Sequence, residues 1–189
     1  MADERIESRE EEVARVRSYI ASQSMRRTPA QLAEAMREAH QQFLSALALI
    51  PQASFHTPPH EGEWSAADVL LHVRAMAAID LASIPAVIER GEQPTDVLDN
   101  LVGASPDITR ASLLLDLEVL RERLLAVVVQ SDPQAHLEVT WGHPEFGQMN
   151  WREWLLFARV HTLDHARQVQ AIAAALAESG GGAANEGSD

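Results

Sequence analysis

The chain has 189 residues, 46% hydrophobic and 23% charged, the profile of one ordinary globular domain. A formal net charge of −13 leaves no basic face for phosphates, which argues against a nucleic-acid partner. With no cysteine present, disulfides and thiolate metal sites are excluded, and any thiol chemistry must borrow its sulfur from another molecule.

The opening, MADERIESREEEVARVRSYI, lacks the apolar segment of a signal peptide. No run of about 18 apolar residues follows anywhere. A cytoplasmic protein with no membrane partner is therefore expected. Residues 1–24 predict a short charged helix with a thin apolar stripe of Ile6, Val13, Val16 and Ile20. That stripe is too narrow for a core helix, so it should lie against the domain or a partner subunit.

Four long helical patterns follow. In the first, Thr28 is an N-cap with Pro29 at the first helical position and Gln31 completing a capping box. Leu32, Met36, Ala39, Phe43, Ala46 and Ile50 form its seam. The second opens at Ser65 with Asp68 three residues on, and Val69, His72, Met76, Ile79 and Ser83 form its seam. Pro85 should kink it. The third, after SPDITR, carries Leu113, Leu117, Leu120, Leu124 and Val127. The fourth opens at Asn150 with Glu153 as its cap partner, and its seam runs Trp151, Trp154, Ala158, His161, His165, Gln168, Ile172, Ala175. Only HLEVTW has strand-like chemistry. Alternating three-and-four spacing in four helices predicts an all-α, antiparallel four-helix bundle over residues 28–177. The Gly-rich, acidic residues 179–189 predict a disordered tail. Long loops at 51–63 and 131–149 are candidate carriers of function.

Of eight histidines, His56, His60, His136 and His143 fall in those two loops, and His40 flanks a seam. His72, His161 and His165 lie on the seams themselves. Residues four apart on a helix project from one face, with Cβ atoms about 5–6 Å apart, so His161 and His165 can share one metal ion. His72 is the seam residue of another helix that qualifies as the third ligand. A lone histidine on an apolar face is usually a hydrogen-bonded core residue. Three are harder to accommodate, since each unsatisfied buried polar group costs about 1–3 kcal/mol out of a total of about 5–15 kcal/mol. A divalent cation bound by neutral imidazoles removes that cost.

Two stretches carry a family resemblance. GEWSAADVLLHV and HPEFGQMNWREWLLFARVHTLDHARQVQAI resemble the DinB-like (damage-inducible) superfamily of metal-binding four-helix bundles over about residues 28–177. The first matches the Trp-Ser helix start with a histidine eight residues after the Trp. The second matches the His-Pro-x-x-Gly turn and the paired histidines with a downstream Gln. The resemblance places His72, His161 and His165 as the metal triad, with zinc or nickel as the expected ion. LDHAR departs from the family's usual basic or glycine residues after the last histidine, which touches the pocket rim and leaves the triad intact. Members of the superfamily are often homodimers, and a homodimer is expected here. They include transferases and isomerases that use low-molecular-weight thiols such as mycothiol or bacillithiol, and metal-dependent hydrolases. The resemblance thus implies a thiol-dependent transferase or isomerase acting on small electrophilic molecules, with a thiol cosubstrate. Hydrolysis, or a non-catalytic metal-binding role in stress, is the alternative.

Gln168, Trp154 and Met76 are candidate pocket residues, as are Trp64 and Trp151, although aromatics at helical spacing are more often core. Asp164 reads as a surface charge and Asp68 as a helix-start residue. A zincin motif fails because Thr162 stands where it needs Glu. Paired Glu-x-x-His motifs of di-iron bundles are missing. GEWSA lacks the second glycine of a nucleophile elbow.

Overall fold

The computed structural model describes residues 8–95 and 107–182. Its helices are α1 (Arg9–Arg26), α2 (Pro29–Ala48), α3 (Ala66–Arg90), α4 (Arg110–Gln130) and α5 (Trp151–Gly182). A short hairpin, β1 (Trp141–His143) and β2 (Gly147–Met149), precedes α5.

Local chemistry sets the helix starts. Thr28 and Gln31 form the expected reciprocal capping box, and Ser65 and Asp68 form another. Asn150 Oδ1 accepts from the amides of Arg152 and Glu153, while Glu153 Oε2 accepts from the Asn150 amide at 3.1 Å. Ser8 and Glu11 cap α1 in the same way. α3 continues through Pro85 to a left-handed Gly91.

Two buried clusters define the ends of the bundle. One gathers Leu32 and Met36 of α2, Ile84 and Val87 of α3, Leu124 and Val128 of α4, and Trp151 to Ala158 of α5. The other gathers Phe43 and Leu47 of α2, Val69 and Leu70 of α3, Leu113 and Leu117 of α4, and Val169 and Ile172 of α5. So α2 and α5 run one way, and α3 and α4 the other. α2 packs on α4 and α5, and so does α3, which leaves α2 and α3 diagonal to each other. The expected four-helix bundle is present, with antiparallel packing of α2 on α4 and of α3 on α5 and parallel packing of the other two neighbours.

Several expectations are corrected. HLEVTW supplies only Trp141 to a strand. The hairpin is closed instead by PEF and by Gly147, whose φ of 69° suits the left-handed residue after a three-residue turn. The helix expected over 1–24 spans Arg9–Arg26, and Ile6 lies outside the described residues. Of the rest of its stripe, Ile20 is fully buried in the first cluster and Val16 packs against it, while Val13 is half-buried at a cavity wall. The tail is expected from residue 179, but α5 runs to Gly182; the rest of that stretch, 183–189, lies outside the described residues. By length and composition α3 is apolar enough to cross a membrane, as core helices often are; here its apolar side is packed in the bundle.

Candidate metal centre

The antiparallel packing of α3 on α5 brings the middle of one helix to the middle of the other. The Ser65 box sets the phase of α3, so that Val69 and Val73 are buried and His72 turns toward α5. Along α5, Ala158, Thr162, Ala166 and Val169 are buried, and His161 and His165 flank them. The three rings converge. The His161 Nε2 lies 3.0 Å from the Nε2 of His72 and 3.0 Å from that of His165. All three rings present a ligand atom within one small cluster, and it contains no carboxylate.

Hydrogen bonding among neutral rings cannot satisfy this cluster. The His165 Nδ1 donates to Gln168 Oε1 at 2.7 Å, so the neutral ring carries its lone pair on Nε2. A proton on the His161 Nε2 can be directed at one neighbour only, and without it the contact with His165 sets lone pair against lone pair. A cation accepting all three removes the conflict. Nitrogens about 2.0–2.1 Å from a shared tetrahedral zinc lie roughly 3.3 Å apart, close to the two 3.0 Å separations at His161. Burial, and then the neighbouring His165 and His72, hold His161 well below its ordinary value of 6.5, so this ring stays neutral and competent to ligate. The donor set fits a divalent ion.

Support comes from beneath and beside. Buried Arg121 donates to Thr162 Oγ1 at 3.2 Å and faces buried Asp80 at 3.6 Å. Trp64 stacks on His165 at 6.2 Å and tilts against His72 at 5.3 Å. A cavity of about 290 Å³ opens onto His72 and His161, and Met76 lines it as expected of a pocket residue. A second, more open cavity of about 530 Å³ is lined by Trp64, His165 and Gln168.

Trp154 is placed differently. It is buried, stacked 5.3 Å from Trp141 and donating to the Trp141 carbonyl at 3.2 Å. It lines neither cavity. Its large ring is worth more in the core than at a pocket wall. Trp151 is also core, bonded to the Ala135 carbonyl at 2.8 Å. Three features escaped the spacing argument: His143, Phe157 and the face of α1, all lining the smaller cavity. His143 Nδ1 accepts from the amides of Glu145 and Phe146 at 3.1 and 3.3 Å, so its neutral ring holds the proton on Nε2. The His-Pro-x-x-Gly turn was the available signal for it.

The sequence pattern of the DinB superfamily matches residues 35–169. The chain belongs to the DinB superfamily. The likeness extends to solved bundles. TT2238, a four-helix bundle protein, is 23% identical with a TM-score of 0.59, covering 76% of this chain and 99% of that one. YfiT from Bacillus subtilis, described as a probable metal-dependent hydrolase with an unusual four-helix bundle topology, is 14% identical with a TM-score of 0.55. That match covers 76% of this chain and 86% of YfiT. At these identities the likeness is one of fold. Comparison with curated proteins gave no match. The DinB match begins inside α2, so α1 stands outside it.

Proposed function

We propose that this DinB protein binds one divalent ion, zinc or nickel, through His72, His161 and His165, and works as a thiol-dependent transferase or isomerase on small electrophilic molecules. The convergence of three imidazole Nε2 atoms carries the reading. Three protein ligands leave coordination positions open, the mark of a catalytic rather than a structural site. When bound, such a metal supplies a Lewis acid able to lower the pKa of a thiol or a water.

The chain's own residues do the rest. Gln168 fixes the tautomer and orientation of His165. Met76 and Phe157 line the approach to the triad. His143 holds a proton on Nε2 at the same cavity. The thiol reading is favoured by the resemblance to superfamily members that use low-molecular-weight thiols, and the chain has no cysteine to supply the sulfur itself. The description of YfiT as a probable metal-dependent hydrolase supports the second reading, hydrolysis.

Cobalt substitution separates the two. A thiol-dependent enzyme gives a sulfur-to-cobalt charge-transfer band when mycothiol or bacillithiol is added. Its turnover of electrophiles requires that thiol and is lost in His161→Ala. Ester or amide turnover with no thiol present and no such band would establish the hydrolase instead.

A further inference from the structure

The smaller cavity has two kinds of lining. Its walls are apolar, formed by Val13 and Val16 of α1, Met76 of α3, Phe146 of the hairpin turn, and Phe157 and Val160 of α5. Its charges are already committed. Arg9 grips Glu145 through both carboxylate oxygens, at 2.8 and 2.7 Å, and donates to Glu12 at 3.0 Å. Asp164 is paired with Arg167. Among the described residues no guanidinium in the lining is thus left without a carboxylate partner, and a net charge of −13 disfavours an anion at longer range. A cation would lose its hydration against valine and phenylalanine, and would meet carboxylates that already accept from Arg9 or Arg167.

The α1 wall is firmly seated. Ile20 is buried in the core, Arg17 pairs with Glu153 of α5 at 2.6 Å, and Arg17 also donates to the Gln148 carbonyl at 3.0 Å. The wall belongs to a helix that the DinB match, residues 35–169, does not reach.

We infer that the cavity takes an uncharged small molecule with an apolar body and one metal-seeking head, and that Val13 and Val16 of α1 are the specificity-determining wall that receives the body. The inference rests on the metal reading above for the head alone. The body's recognition follows from the walls and the spent charges.

Hydroxamates test it, since one head can carry many tails. The cobalt-loaded full chain is titrated with acetohydroxamate, butanohydroxamate and hexanohydroxamate, and with two charged analogues, adipic monohydroxamate and the hydroxamate of aminocaproic acid. Binding is read from the visible spectrum. Each methylene buried, at about 0.8 kcal/mol, gives up to about a fourfold gain in affinity, so affinity climbs steeply along the neutral series. The charged analogues bind well below hexanohydroxamate. In Val13→Trp, which fills the cavity, the affinity ratio of hexanohydroxamate to acetohydroxamate collapses toward one. In Val13→Ser, which makes the wall polar, that ratio falls several-fold. A flat neutral series, a charged tail outbinding the neutral one, or an unchanged ratio in both variants overturns the inference while leaving the metal site standing. If the chain takes up no cobalt, the metal reading falls and takes this one with it; if cobalt is bound and none of the hydroxamates alters its spectrum, this inference alone is overturned.

Discussion

His165 and Gln168 sit three apart on one helix, and a single 2.7 Å hydrogen bond between them decides which nitrogen of the ring faces the triad. Replacing Gln168 with Leu frees the tautomer. Metal affinity should then fall by about 10–100-fold, measured by competition with a chelator, while the helical circular dichroism stays the same. His40 is a histidine of the opposite kind. It is buried, and neither ring nitrogen has a partner among the described residues. Burial first, and then nearby Arg121, lower its pKa to about 4. Because the folded value lies below the unfolded 6.5, the neutral ring's contribution is fully present above 6.5 and is lost as pH falls toward 4. His40→Leu should raise stability near neutrality by about 1 kcal/mol and flatten the loss between pH 6.5 and 4. Urea unfolding across that window checks both. A variant as acid-sensitive as the parent would show that another group dominates there.

At the level of elements, one arginine holds three segments together. Arg152, at the start of α5, is 4% exposed. It donates to the carbonyls of Ser24 and Arg27 at the joint of α1 and α2, and to that of Pro133 in the loop before the hairpin. Arg152→Met strands those carbonyls and should cost about 3 kcal/mol. Hydrogen exchange should quicken first in α1 and the hairpin; uniform quickening along all five helices would deny Arg152 this local role. This residue was not legible in the sequence, because a buried arginine and a surface one look alike in a helical pattern. The caps were legible. Thr28 with Gln31, Ser65 with Asp68, and Asn150 with Glu153 all depend on chemistry within three residues. So was the triad's place on two seams, since a histidine's phase within its helix follows from spacing. Spacing turned both Trp154 and His72 inward, yet Trp154 packs in the core while His72 meets His161. Spacing says that a residue faces inward, and whether inward means cavity or core depends on its neighbours. The hairpin went unseen because three-residue strands carry too little alternation to register, and only the Gly147 turn announced it.

For the whole molecule, helix direction was beyond the pattern. Amphipathic spacing does not distinguish a bundle in which consecutive helices are neighbours from this one, where α2 and α3 lie across a diagonal. That arrangement matters for function, because it sets α3 antiparallel to α5 and brings His72 level with His161 and His165. It also leaves α5 open to α1 along one side, where the cavity forms. A chain beginning at Thr28 loses Ile20 from the core along with the Arg17–Glu153 pair. We expect a loss of about 3 kcal/mol and a melting temperature lower by about 10 °C in calorimetry. An unchanged melting temperature would mean that α1 is merely appended.

The central claim, one divalent ion held by three histidines, is tested most directly by metal content. The purified full chain and the variants His72→Ala, His161→Ala and His165→Ala are compared by elemental analysis after identical dialysis. The account predicts one equivalent of a divalent metal in the parent chain and its loss in each variant, with the fold retained by circular dichroism. Full occupancy in all three variants, or a parent chain that takes up no zinc, nickel or cobalt when offered, would contradict it.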